Sequence, residues 1–214
     1  TCTVLMTGKW LSKPGKYTKA IFYIQHDLPE PVFVNINNQQ YQYQQLTTPL
    51  FFDSKRGLSK LIFKFSLAEL QEKLKEYGPD LLNDDITSEQ YIARIRRIRS
   101  EVMTVAKFLL EQRYFAGVGN YLRCEILFRM GIHPLCKLKS LSDEKLAEML
   151  YWSQRLIRES YLAGGVSIID YESPTGRKGE FKLHVYRQHT VDPNVRYTKI
   201  NGRGVYWNEA HQFI

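Results

Sequence analysis

The residues best placed to do chemistry lie in one stretch, Leu109-Leu-Glu-Gln-Arg-Tyr-Phe-Ala-Gly-Val-Gly-Asn-Tyr-Leu-Arg-Cys-Glu-Ile-Leu-Phe-Arg-Met-Gly-Ile-His-Pro134. Gly117 and Gly119 let the backbone turn tightly or approach something closely. Asn120 follows with a short amide that both donates and accepts. One helix is expected to end at Gln112 and another to resume behind the glycines. Tyr121, Leu122, Ile126, Leu127 and Met130 are spaced for one apolar face of that second helix, and Gly131 and Pro134 mark its end. Unpaired N–H groups at a helix start sit at the positive end of its dipole, so this corner can bind an anion. The spacing alone fits equally well a plain connection between two packed helices.

The formal net charge of +8 points to a polyanionic partner, with nucleic acid ahead of a membrane surface. No apolar run approaches the ~20 residues that span a bilayer, and no signal peptide is visible. The three cysteines, Cys2, Cys124 and Cys136, are far apart and form no Cys-x-x-Cys pair. They read as reduced, intracellular thiols, which excludes a disulfide frame and a thiolate-held zinc ribbon. His184, His189 and His211 read as surface or hydrogen-bonded side chains rather than ligands, so neither a metal nor a cofactor is expected.

The elements that must position these residues fall in three segments. Residues 1–77 begin with β runs at Thr3–Met6, Lys19–Gln25, Pro31–Asn37, Gln42–Leu46 and Leu58–Phe65, with turn signals at Pro14-Gly15, Asp27–Pro31 and Asn37-Asn38. Ser66 is expected to cap a helix over Leu67–Tyr77, which Gly78-Pro79 stops. Residues 78–179 carry helices starting at Ser88, at Ser100 and behind Gly119, then one from Ser142 to Tyr161 ended by Gly164-Gly165. The arginines Arg94, Arg96, Arg97 and Arg99 read as a solvated helix face, with DNA contact as the alternative. In residues 180–214, Lys182–Arg187 and Gly204–Trp207 look like strands, with Arg196–Ile200 leading into the turn Asn201-Gly202 and a basic tip.

The wording of the central stretch, from Gln112 through Gly117-Val-Gly-Asn-Tyr-Leu-Arg-Cys-Glu125 to His133-Pro134, resembles the helix–two-turn–helix motif of the formamidopyrimidine-DNA glycosylase/endonuclease VIII family, most nearly its zinc-less endonuclease VIII-like branch. The resemblance implies an α+β protein. An incomplete N-terminal β-sandwich would be followed by a helical helix–two-turn–helix domain and a zinc-less β-hairpin finger. It implies a DNA glycosylase/AP lyase of base excision repair, an intracellular monomer acting on duplex DNA that holds a damaged base or abasic site. In a eukaryote its place would be the nucleus, otherwise the cytoplasm, nucleoid or a viral factory. A non-catalytic helix–two-turn–helix nucleic-acid-binding module is the alternative.

Carried over residue by residue, Asn120 matches the motif's phosphate-binding Asn, with Gly117 and Gly119 keeping the backbone clear and Arg123 adding a phosphate contact. Glu125 matches a family acid, for which a structural role is expected. Arg203, in Asn201-Gly-Arg-Gly-Val-Tyr-Trp207, matches the finger Arg that clamps the flanking phosphates, a bidentate task suited to a guanidinium. Leu5-Met-Thr-Gly8 resembles the strand whose Met fills the space left by a flipped nucleotide, which Met6 matches. Asp53-Ser-Lys-Arg-Gly57 resembles the loop whose Arg enters the duplex, matched by Arg56; the aromatic wedge that follows in the family is missing here. Tyr77-Gly-Pro-Asp80 resembles the linker into the helical domain. The shortness of the loop around Tyr171–Gly179 favours oxidised pyrimidines, hydantoins or abasic sites. The nucleophile is expected upstream of Thr1. In the family it is an N-terminal Pro or Val α-amine followed by Glu, with a strand Lys nearby, and it forms a Schiff base and permits β,δ-elimination.

Overall fold

A computed structural model describes residues 2–3, 8–11, 18–36, 39–54, 60–61, 67–166, 179–200 and 202–214; up to residue 67 the description is of backbone. Met6, Arg56, Ser66 and most of the loop before Gly179 fall outside the described residues, as does Asn201. The chain divides into two compact units, Thr1–Lys64 with Ser167–Gly179 and Phe65–Val166 with Glu180–Ile214.

The first unit is β-structure. Strand β1 (Cys2–Thr3) pairs antiparallel with β5 (Lys60–Leu61). In a second sheet β4 (Gln39–Ser54) lies between β2 (Gly8–Leu11) and the long β3 (Thr18–Ile36). The break expected at Asp27–Pro31 is instead an irregularity inside β3, where the register steps from Asp27↔Gln45 to Val32↔Tyr43. Pro29 and Pro31 cannot donate to a ladder, so the strand bulges there and then resumes pairing.

The second unit holds the helices and the hairpin, which the sequence reading set apart as two segments. Helix α1 (Leu67–Leu74) ends three residues earlier than expected, in a tight turn closed by Tyr77 N–H to Leu74 O. Helix α2 (Ser88–Arg96) is capped by Thr87, whose side chain accepts from the Gln90 N–H while the Gln90 side chain accepts from the Thr87 N–H. Helix α3 is only Val105–Phe108, capped by Thr104. A helix start at Ser100 is ruled out by pairing further on: Leu138 N–H donates to Met103 O and Val105 N–H to Cys136 O, which holds this backbone extended. Helix α4 (Asn120–Arg129) and helix α5 (Asp143–Leu162, capped by Ser142) follow, separated by a short 3₁₀ turn at Leu138–Ser140. Gly131 at φ 66° ends α4, and Gly164 and Gly165 at φ 69° and 87° end α5, all left-handed positions that favour glycine.

These helices enclose one core in which Tyr91, Val105, Ile126, Leu127, Leu146 and Met149 are fully buried. Strands β6 (Val195–Ile200) and β7 (Arg203–Asn208) form the hairpin. The expected strand Lys182–Arg187 is not one. Its N–H groups at His184, Val185 and Tyr186 all donate to the Glu125 carboxylate, so none is left for a ladder. Helix α4 therefore does not show one apolar face. It is buried from Leu122 through Leu127, polar residues included, with the core on one side and the hairpin on the other.

Candidate nucleic-acid interface

Gln112 builds the glycine corner. Its amide accepts from Gly117 N–H at 3.1 Å and donates to Val118 O at 2.9 Å, bridging the base of the turn. Gly117 sits at φ 110°, and an added Cβ would lie 3.3 Å from Ile157 Cδ1, so backbone conformation and space both select glycine. Gly119 differs: its φ of −97° suits any residue, and nothing lies within 4 Å of its Cβ position. The opening beside Gly119 is where a ligand's backbone could approach. The Gly78-Pro-Asp80 segment fastens the corner from outside, through Gly78 N–H to Gln112 O, Ala116 N–H to Pro79 O and Leu81 N–H to Ala116 O.

Gly119 is the N-cap of α4 and makes no side-chain cap. The first intrahelical bond is Arg123 N–H to Gly119 O, so the N–H groups before it remain at the positive helix end. At this end the Asn120 amide donates to Gly204 O of β7 at 2.9 Å and accepts from Arg123 Nη2. One side chain thus joins the helix start to the hairpin tip. Arg203, next to Gly204 and exposed, lies close enough to Arg123 for their like charges to interact.

Arg123 departs from the phosphate contact expected of it. It has no exposed surface, and its guanidinium is spent on Ala106 O, Asn120 Oδ1 and Gly204 O. Burial, reinforced by Arg203, lowers its pKa from the ordinary guanidinium value. Nothing in the local sequence marked this, because an Arg in a helix is by default a surface residue. Burial also pushes the neighbouring Cys124 thiol up to about 11, and its sulfur accepts the Tyr206 N–H at 3.4 Å. Glu125, one residue on, takes the structural role expected of it, with both oxygens spent on the 184–186 backbone.

The hairpin is held by aromatic packing. Tyr206 meets Tyr186 at 5.2 Å, Tyr197 at 5.0 Å and His189 at 5.3 Å between ring centroids, and an Arg196–Glu209 ion pair ties β6 to the residue after β7. Among the described residues no three His, Cys, Asp or Glu side chains converge as a metal site. His184 stacks on Phe128 and bonds Arg129, while His211 bonds Phe128 O. Within the arginine cluster, Arg96 bonds Asp143 and Leu141 O, and Arg94 bonds Arg113 O. No helix among the described residues is long and apolar enough to cross a membrane.

Residues 77–171 match the family model described as the formamidopyrimidine-DNA glycosylase H2TH domain. The formamidopyrimidine-DNA glycosylase of Oceanobacillus iheyensis is 28% identical over 144 residues, covering 64% of this chain and 50% of that protein. The chain spans about half the length of the curated relatives it matches. Among solved structures, the MutM (Fpg) protein of Thermus thermophilus superposes with a TM-score of 0.75 at 22% identity, over 99% of this chain and 74% of that one. The Lactococcus lactis Fpg in complex with DNA containing an abasic site gives a TM-score of 0.68 at 19% identity, over 99% of this chain and 73% of that one.

Proposed function

This chain belongs to the formamidopyrimidine-DNA glycosylase/endonuclease VIII family, and on that premise we propose that it is the DNA-gripping part of a bifunctional DNA glycosylase/AP lyase of base excision repair. The observation that carries the proposal is the Asn120–Gly204 hydrogen bond, which joins the helix start to the backbone next to the exposed Arg203. Asn120, the open backbone at Gly119 and Arg203 then hold successive phosphates around a flipped nucleotide, and Gly117 gives the corner its shape. Met6 and Arg56 fill the vacated stack, a reading supported by the resemblance of their sequence motifs. The β strands of the first unit are in this reading part of the family's β-sandwich.

The hairpin serves as a zinc-less finger. This is supported by a sequence whose three cysteines all precede residue 137 and by the aromatic cluster around Tyr206. The preferred lesions are oxidised pyrimidines, in keeping with the short loop before Gly179. The protein works as an intracellular monomer. No residue from 1 to 214 is assigned the nucleophile. In the family's chemistry an α-amine attacks C1′, the damaged base leaves with the bonding electrons, and the resulting Schiff base permits β- and then δ-elimination of the flanking phosphates.

The test is borohydride trapping. The full-length protein is incubated with a 5-hydroxyuracil or thymine-glycol duplex and borohydride, and a covalent protein–DNA adduct is expected. Tight binding of the lesion duplex with no trapped adduct would remove the lyase claim and leave a non-catalytic binding module.

A further inference from the structure

Arg123 is a buried cation without an acidic partner. It has no exposed surface, and its acceptors are all neutral: Ala106 O at 3.2 Å, Gly204 O at 3.4 Å and Asn120 Oδ1. Its Nε has no hydrogen-bond partner. No ion pair among the described residues includes it. The adjacent Cys124 thiol, raised to about 11, stays protonated at neutral pH and supplies no charge, while the nearby Arg203 adds a second positive one. Leaving an ion uncompensated in such a place costs several kcal/mol. The chain keeps that cost in the first turn of α4, at the positive end of the helix.

We propose that Arg123 is the positioning residue of the phosphate site: it fixes the Asn120 amide with oxygen inward and donors outward, and its unmatched charge is balanced when a DNA phosphate arrives. This deepens the DNA-binding reading above and rests on it. An asparagine amide is nearly symmetric in shape, so its direction is set by its partners. Here the guanidinium can only donate, so it claims Oδ1. Nδ2 then donates to Gly204 O, and its second N–H is left for the phosphate. Without Arg123 only Gly204 O holds the amide in this direction, and Oδ1 loses its donor.

The experiment measures equilibrium binding to a duplex with a tetrahydrofuran abasic analogue, for the unsubstituted protein, Arg123→Met, Arg123→Lys, Asn120→Ala and Asn120→Ala/Arg123→Met. Thermal unfolding is followed in parallel with and without inorganic phosphate. Arg123→Met is expected to weaken binding ~10-fold or more, the scale of a lost charge-assisted contact. Arg123→Lys should recover affinity to within ~3-fold of the unsubstituted protein, and in the Asn120→Ala background Arg123→Met should cost less than ~3-fold more. Phosphate should raise the unfolding temperature of the unsubstituted protein more than that of Arg123→Met. Arg123→Leu, neutral and without a donor, replaces Met if that variant does not fold and must show the same loss. Losses that multiply independently, or a Lys variant no better than Met, would overturn the inference; a packing role alone gives those results. If the unsubstituted protein shows no preference for the analogue duplex, the DNA reading itself fails. If it does and the Arg123 variants match it, only this inference fails.

Discussion

Replacing Glu125 should be among the most damaging single changes in the second unit. Its carboxylate accepts the N–H groups of His184 at 2.9 Å and of Val185 and Tyr186 at 3.0 Å each, and the last two bonds are fully buried. Glu125→Ala leaves all three donors without an acceptor. At about 1–3 kcal/mol for each unsatisfied buried group, the expected loss is about 3–9 kcal/mol, a large part of the roughly 5–15 kcal/mol available to a domain. Glu125→Gln keeps one oxygen, which can still serve Val185 and Tyr186, but turns an NH₂ towards the His184 N–H. Its cost should be about 1–3 kcal/mol, a single lost bond plus a donor–donor contact. The damage should reach the hairpin, because Tyr186 packs on Tyr206 of β7. Urea unfolding followed by circular dichroism gives both numbers. A Glu125→Ala loss below ~1 kcal/mol, or a Gln variant as weak as Ala, would refute the idea that this carboxylate organises the 184–186 backbone.

The two glycines of the corner should separate stability from binding. Gly117→Ala forces a side chain to φ 110° against Ile157 and should cost about 1–3 kcal/mol of stability. Gly119→Ala meets nothing in the protein and should leave stability within ~0.5 kcal/mol while weakening DNA binding; thermal unfolding beside a binding titration checks both. Cys124 should give an alkaline signature. The folded chain holds its thiol protonated up to about 11 where 9.0 is ordinary, so its contribution is intact below pH 9. That contribution is lost as pH rises from 9 to 11, by at most about 2–3 kcal/mol. Cys124→Ala should flatten that slope, and an unchanged slope would show that the thiol is not the group responsible.

The sequence disclosed those parts of the site that local rules govern. The stop of α4 at Gly131, the Ser142 cap of α5 and the left-handed Gly202 between β6 and β7 all follow from residue type at a fixed offset. Long-range partners decided the rest. Thr104 rather than Ser100 opens α3 because Met103 and Val105 are paired to the 136–138 segment, which lies far along the chain. Lys182–Arg187 alternates like a strand, yet Glu125 claims its N–H groups from some sixty positions away. Arg123 had every local mark of a surface cation, and only the seating of β7 against α4 buries it. The pairing of Asn120 with the hairpin was accessible only through family resemblance, since no periodicity links residues 84 apart.

The central claim is that the helix start and the hairpin tip grip one sugar-phosphate segment from two sides. Binding of an abasic-analogue duplex by Asn120→Ala and by Arg203→Ala, against the unsubstituted protein at one salt concentration, tests it directly. Each variant should lose at least ~1 kcal/mol, or about fivefold in affinity. Unchanged affinity in both, with the fold intact, would contradict it.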